Sequence, residues 1–189
     1  MKKNKASSYV ISVGEFDEAE SVVGTMRSNH HRTEFTLCND GRNPAGSHGA
    51  LLEESHTQEL MAVSYESILG FIKLQQMSAI IPHMDRNSQR VCLGDGSLLK
   101  KMKNNQGAGL IKLETIVPAW NEEKQEYVMD FNGRVKKGSV KNFQLACSDS
   151  PDKLVMQFGR VDENRFVLDY SSPLCALQAF TIALSCFDE

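Results

Sequence analysis

The sequence lacks the long apolar segments and paired cysteines that would place it in a membrane or a disulfide framework. It has no run of about 18 apolar residues, and its basic start has no apolar stretch of the kind a secretory signal needs. The five cysteines are scattered without a CxxC pair, and there is no Asn-x-Ser/Thr sequon. We therefore expect free thiols in a reducing compartment and a cytoplasmic or nuclear protein that is not secreted.

The sequence also has little that points to catalysis, metal binding or nucleic-acid binding. The formal net charge of −3 disfavours a DNA- or RNA-binding role. There is no Gly-x-Ser-x-Gly nucleophile motif, and the carboxylates are too dispersed to suggest an acid–base pair. The segment 94–100 fails the GxGxxG pattern and is interpreted as a hairpin turn. The five histidines show no metal-ligand spacing: His30, His31, His48, His56 and His83. We expect no enzyme, no metal and no cofactor.

Short strand-like segments, some alternating in polarity and some apolar throughout, are separated by turn residues and occupy most of the chain. Alternation over 32–38 stops at the turn signal Asn39-Asp40-Gly41, and another segment stops at Asn132-Gly133. Residues 40–56 are polar and are predicted to form a surface loop, and 100–103 a short basic turn or helix end. Regular short strands indicate an all-β barrel or sandwich. The strand candidates are 32–38, 59–65, 77–81, 89–93, 110–117, 127–131, 142–147, 154–158 and 165–170.

Residues 174–187 break this pattern and are predicted to form a helix. Ser172 is a suitable N-cap and Pro173 a suitable first helical residue. No charged residue occurs before Asp188, so the helix has no polar face and has to be enclosed on every side. At about 1.5 Å per residue it is roughly 20 Å long, too short to span a bilayer comfortably. A signal-like or interfacial helix is the alternative, but a β-barrel wrapped around its own helix fits better.

Several ordered segments resemble the C-terminal domain signature of the tubby family, and the likeness extends from about Ser7 to the end of the chain. The clearest is DFNGRV at 130–135, which is followed by SVKNFQL, VMQFGRV and SPLCALQAF. So many ordered matches are far more specific than a single short motif. The matching segments are 26–29, 34–36, 39–44, 118–120, 130–135, 139–145, 155–161 and 172–180.

The resemblance implies a fold and a function. The fold is a closed, twelve-stranded antiparallel β-barrel around a central hydrophobic C-terminal α-helix. The function is that of a non-enzymatic module binding phosphoinositides, chiefly the 4,5-bisphosphate, at the cytoplasmic face of membranes. Family members are associated with membrane-tethered signalling, delivery of receptors to cilia and a proposed nuclear role. We accordingly expect an adaptor that is peripheral at the inner plasma membrane or cilium, with the nucleus as a further location.

The resemblance also implies site residues, and here the sequence departs from the family. The family holds headgroup phosphates with a Gly-Lys-x-Arg-Ser-Asn run; Arg27 is kept here, but Thr25 replaces the Lys. Thr57 stands where the family has a further Arg, and Ser8 where it has Asn. The family's Arg-Lys pair before a later strand reads Gln75-Gln76.

The basic start of the chain is the remaining phosphoinositide candidate. Lys2, Lys3 and Lys5 lie where the family has a polybasic segment, although a solvated, frayed terminus is the alternative interpretation.

These departures predict a weakened lipid site. A basic group near an anionic surface contributes about 1 kcal/mol, and a charge-assisted phosphate bond about 1.5–3 kcal/mol. Losing two such groups costs about 3–4 kcal/mol, on the order of a few hundredfold in affinity. Weak, salt-sensitive binding to anionic phosphoinositide membranes is therefore expected. A lipid-independent protein-interaction scaffold with unidentified partners is the alternative, and a transcription-related or DNA-binding role comes third.

We divide the chain into a basic N-terminal segment, 1–7, and a tubby C-terminal domain, 8–189. A complete tubby domain begins upstream of the polybasic segment, so we expect this one to be incomplete at its N-terminal end and to lack the first strands. Such a barrel would have unpaired edges, lower stability than a complete domain and a tendency to associate through those edges.

Overall fold

The chain folds into a curved antiparallel sheet with one helix inside it and one outside. The computed structural model describes residues 6–14, 21–39, 58–66, 76–85, 97–123 and 125–188. Within these ranges the chain forms eleven strands and two helices. They are β1 (Ser8–Val13), β2 (Ser21–Ser28), β3 (Glu34–Cys38), β4 (Glu59–Glu66), β5 (Gln76–Pro82), α1 (Leu98–Lys103), β6 (Leu110–Thr115), β7 (Ala119–Asn121), β8 (Glu126–Val128), β9 (Phe143–Cys147), β10 (Ser150–Asp162), β11 (Arg165–Tyr170) and α2 (Ala176–Ser185).

Nine of the strands form one sheet whose order nearly follows the chain. The order is β1-β2-β3-β4-β5-β6-β9-β10-β11, and β7 and β8 pair separately as a small hairpin. Burial alternates most clearly in β2 and β3: in β3, Phe35 and Leu37 are buried, whereas the flanking positions are half-buried. Strands β4, β5 and β9 bury consecutive residues instead. The alternation in β2 and β3 gives that part of the sheet an apolar inner face and a more polar outer face.

Helix α2 lies against the inner face, where Ile182 and Ala179 are fully buried with the inward residues of the strands. The helix contacts β2, β3 and β4 near one end of the sheet and β11 at the other end. Because strands from both ends reach the same helix, the sheet curves around it. The predicted mainly β fold, an antiparallel barrel-like sheet around the hydrophobic C-terminal helix, is confirmed.

The enclosure of α2 is less complete than the sequence predicted. Among the described strands, β1 and β11 are edges and do not pair with each other. Phe180 on α2 and Phe187, two residues beyond its end, are 49% and 47% exposed. The expectation of enclosure on every side is therefore corrected, because the described residues cover these two apolar side chains only in part.

Helix α2 also begins later than predicted. Its N-cap is Cys175, whose backbone N–H donates to Oε1 of Gln178 at 3.2 Å. Gln178 is fully buried and also donates from Nε2 to the carbonyl of Leu60 on β4 at 2.9 Å. The expectation of Ser172 as N-cap and Pro173 as first helical residue is wrong, because this bidentate glutamine caps the helix three residues further on.

Helix α1 packs on the outer face of the sheet. Leu98 is buried against Ala62 of β4 and Ile80 of β5, and Met102 packs against the same cluster. The helix confirms the predicted helix end at 100–103. The hairpin interpretation of 94–100 is wrong for residues 98–100, which belong to the helix. Residues 94–96, the strand candidate 89–93 and the predicted loop 40–56 lie outside the described residues.

A polar cluster around the buried Asp188 joins β1 to the segment after α2. The Tyr9 hydroxyl donates to Asp188 Oδ1 at 2.7 Å, and the Ser7 hydroxyl donates to the same oxygen at 3.1 Å. Arg32 Nη1 lies 3.4 Å from that carboxylate, which is only 4% exposed. The hydrogen bond to Asp188, together with burial, raises the pKa of Tyr9. The edge strand β1 is thus tied to the C-terminal end of the helix.

Candidate functional site

The predicted site residues Ser8, Thr25 and Arg27 lie together on the outer face of β1 and β2. Arg27 of β2 is directly opposite Ser8 of β1 on one side and Thr36 of β3 on the other. Residues directly opposite each other in an antiparallel pair point to the same face. Ser8, Arg27 and Thr36 therefore form a continuous polar row across three strands.

Thr25 lies on the same face as Arg27, two residues earlier in β2. It is half-buried, and its direct neighbours are Val10 of β1 and Cys38 of β3. The pKa of the Cys38 thiol is raised, mainly by burial and further by Glu59, whereas Arg27 lowers it. Arg27 and Glu59 therefore both act electrostatically on the position beside Thr25.

Arg27 is the cation that the strands β1, β2 and β3 contribute to this face. Its side chain is exposed, and within the described ranges no carboxylate pairs with it. A guanidinium presents several N–H donors in a planar fork that matches phosphate oxygens. Flanked by the hydroxyls of Ser8 and Thr36, it forms a surface on which donors outnumber acceptors.

Glu59 fixes helix α1 beside the row. Its Oε2 accepts the backbone N–H of Leu98 at 2.6 Å, which satisfies one of the free donors of the first helical turn. The apolar contacts of Leu98 with Ala62 and Ile80 hold the helix on the same outer face. Glu59 is thus an anchor for α1 as well as an anion close to Cys38.

Helix α1 brings three lysines to this face, which the sequence did not connect with Arg27. Residues of an α-helix turn by about 100° each. With Leu98 and Met102 on the sheet, Lys100 points outward and Lys101 and Lys103 lie on opposite flanks. Lys103 Nζ is 2.5 Å from Glu34 Oε1 on β3. Lys101 lines a cavity of about 120 Å³ on the other flank, together with Lys112 and Ile80.

The sequence offered no local signal for this association. The row and the helix lie some seventy positions apart along the chain, and only strand register and α1 packing bring Glu34 and Lys103 together. The sequence shows that 100–103 is basic, but it does not show which residues lie next to this segment in the fold.

The remaining predicted site residues lie outside the described part of the chain. These are Thr57 and the basic group Lys2, Lys3 and Lys5, and their assigned roles stay predictions. Gln75 is likewise outside it, and Gln76 begins β5.

Two observations apply to the described residues only. Within these ranges no three His, Cys, Asp or Glu side chains converge as metal ligands would. In the same residues, neither helix has the length and apolar content needed to cross a bilayer.

Comparison with known proteins places the chain in a family. The Tub family matches residues 1–189. The chain is 47% identical over 197 residues to "Tubby-related protein 3" of Mus musculus, covering 100% of this chain and 43% of that protein. The human protein of the same name is 45% identical over 197 residues, covering 100% of this chain and 44% of that protein.

A more distant relative gives the same result. "Protein king tubby" of Drosophila sechellia is 41% identical over 198 residues, covering 99% of this chain and 43% of that protein. The chain thus spans less than half the length of these three relatives. The resemblance drawn from the sequence motifs is confirmed: this chain belongs to the tubby family.

Proposed function

We propose that this chain is a non-catalytic tubby-type module that binds phosphoinositide headgroups, chiefly the 4,5-bisphosphate, and serves as a peripheral membrane adaptor. The observation that carries the proposal is the exposed Arg27, which lies between the hydroxyls of Ser8 and Thr36 and has no anionic partner in the described residues. Guanidinium and hydroxyl groups are suitable donors to phosphate oxygens, whereas they provide no nucleophile–base pair.

The binding is weak in this proposal. Thr25 lies beside Arg27 on the same face, yet its hydroxyl carries no charge, and the carboxylate of Glu59 acts on the same area. Replacing a charge-assisted bond by a neutral one removes about half of its strength. Because the remaining attraction is largely electrostatic and exposed, it weakens with increasing salt.

Vesicle binding of the purified chain tests the proposal. Wild type, Arg27→Ala and Lys153→Ala are compared on vesicles containing the 4,5-bisphosphate and on phosphatidylserine vesicles of equal surface charge. Lys153 is an exposed cation on β10, far from β2 in the sheet order, so its variant controls for net charge. We expect headgroup-selective binding that Arg27→Ala weakens about tenfold and Lys153→Ala leaves almost unchanged.

The lipid-independent scaffold is the second candidate, and one observation favours it. The exposed Phe180 and Phe187, together with β1 and β11, which are the edges of the sheet among the described strands, are features that protein partners use. Vesicle binding that is absent, or that responds to neither Arg27→Ala nor the headgroup, would contradict the lipid proposal and favour the scaffold. We include receptor delivery to cilia and a location at the inner plasma membrane in the proposal, because the chain belongs to the tubby family.

A further inference from the structure

Helix α1 supplies a cation that already holds an anion in the free protein. Lys103 Nζ lies 2.5 Å from Glu34 Oε1, with 60% of the lysine side chain and 21% of the glutamate side chain exposed. An ion pair at such a surface stabilises a protein by only about 0.2–1 kcal/mol. The pair therefore holds Lys103 in place weakly enough for another anion to replace Glu34.

The Glu34–Lys103 pair lies at the rim of the Arg27 row. Thr36 is directly opposite Arg27, and Glu34 is two residues before Thr36 on the same face of β3. Glu34 is thus a diagonal neighbour of Arg27, at a separation of about 7–8 Å that long side chains can bridge. The ammonium that Glu34 holds is consequently close enough to act on the same polyanion as Arg27.

We propose that Lys103 is the second cationic arm of the headgroup site and that Glu34 is an internal competitor which the headgroup displaces from it. This inference rests on the proposed function and adds the residue that stands in for the cation lost at Thr25. On binding, the Lys103 ammonium exchanges the Glu34 carboxylate for a phosphate oxygen, and Glu34 returns to water. Arg27 holds another phosphate of the same headgroup.

The exchange explains how a weakened site remains selective. A phosphate monoester carries close to two negative charges at neutral pH, whereas a carboxylate carries one, so the phosphate competes well for the ammonium. A headgroup with two such phosphates engages Arg27 and Lys103 together. A lipid with a single carboxylate offers Lys103 no more charge than Glu34 does, and does not displace it.

A double-mutant cycle on vesicles containing the 4,5-bisphosphate tests the inference. The proteins are wild type, Lys103→Gln, Glu34→Gln, the double variant Glu34→Gln/Lys103→Gln, and Lys153→Gln as the charge-matched control. Thermal melting of each variant establishes that it is folded, and the soluble inositol 1,4,5-trisphosphate competes with the vesicles to separate headgroup from bilayer contributions.

We expect Lys103→Gln to weaken binding about fivefold and Lys153→Gln to leave it nearly unchanged. Glu34→Gln is expected to strengthen binding about threefold in the wild-type background, and this gain is lost when Lys103 is absent. Two results would overturn the inference: Lys103→Gln binding as tightly as Lys153→Gln, or a Glu34→Gln gain equally large with and without Lys103. If Arg27→Ala still weakens binding, the proposed function survives that failure. Absence of wild-type binding ends both.

Discussion

At the residue scale, the site depends on which side chains flank Arg27. The family resemblance predicted Ser8, Thr25 and Arg27 as site residues, and the strand register places all three on one face. Lys103 and Glu34 could not be found in the same way, because their contact depends on where α1 packs. Motif residues that share one hairpin are thus predictable, while a contribution from a distant helix requires the tertiary structure.

Restoring the lost cation is the direct residue-scale prediction. Thr25→Lys places an ammonium on the same face as Arg27, two residues away, and we expect affinity for 4,5-bisphosphate vesicles to rise about fivefold. The matched control is Ser150→Lys, which adds the same charge at the exposed start of β10. Equal affinities of the two lysine variants in a vesicle titration would show that a lysine beside Arg27 strengthens binding no more than a lysine elsewhere on the surface.

The Asp169 carboxylate gives a prediction on pH. Hydrogen bonds from the Arg134 guanidinium, at 2.9 and 2.7 Å, lower the pKa of Asp169. Partial burial raises this pKa, and a further hydrogen bond from Gln157 lowers it, so that the net shift is downward. Because the folded pKa lies below the unfolded value of about 3.9, the stabilisation is present above that pH. It is lost as the pH falls through the folded pKa.

Thermal melting from pH 7 to pH 2.5 checks this prediction. The difference in melting temperature between wild type and Asp169→Asn should be constant above about pH 5 and shrink below about pH 4. Asp152→Asn, at an exposed carboxylate of β10, is the control and should show little difference throughout. A wild-type advantage over Asp169→Asn that grows on acidification would contradict the sign of the pKa shift.

At the element scale, the segment 135–137 packs closely against β10. The backbone N–H groups of Lys136 and Lys137 both donate to the carbonyl of Arg160 at 3.0 Å. Val135 lies directly above Gly159, where an added Cβ would be 2.2 Å from its Cγ2 and 3.2 Å from its Cβ. The segment can approach this closely only because position 159 has no side chain.

Filling that space should therefore destabilise the protein. We expect Gly159→Ala to lower the free energy of unfolding by about 1–3 kcal/mol, since the short and branched Val135 cannot move away easily. Val135→Ala in the same chain should recover part of the loss, so the two substitutions are non-additive in chemical denaturation. Strict additivity would show that the contact with Val135 is not the cause.

The elements themselves were predictable to different degrees. Short segments between turn residues identified β3, β9 and β11, and the Asn132-Gly133 turn appears with positive φ angles of 50° and 70°. The start of α2 was misplaced, because its cap is a buried glutamine that also bonds to β4. Local sequence patterns indicate where the strands lie. A helix cap that depends partly on tertiary contacts is harder to predict from the sequence.

At the scale of the whole molecule, the fold depends on a sheet that bends around α2 and has β1 and β11 as its edges among the described strands. An entirely apolar helix correctly indicated a β enclosure, yet it could not show how far that enclosure extends. Closure is decided by whether the edge strands β1 and β11 pair, and these lie at opposite ends of the described chain. The predicted association through such edges stays a prediction.

The Tyr9–Asp188 hydrogen bond joins the edge strand β1 to the segment after α2. Tyr9→Phe removes the donor at 2.7 Å from a carboxylate that is 4% exposed, and we expect a loss of about 1–3 kcal/mol in unfolding free energy. Tyr170→Phe removes an exposed hydroxyl on β11 and serves as the control. Equal denaturation midpoints for the two variants would show that the contact does not stabilise the fold.

The central claim is that the outer face of β1–β3, centred on Arg27, binds a phosphorylated inositol headgroup. Amide NMR during titration with soluble inositol 1,4,5-trisphosphate measures this most directly, because each backbone N–H reports its own surroundings. We expect saturable shifts that are largest at Arg27, Thr36 and Lys103 and small along β10 and β11. Shifts concentrated on β10 and β11, or none at Arg27 at saturating ligand, would contradict it.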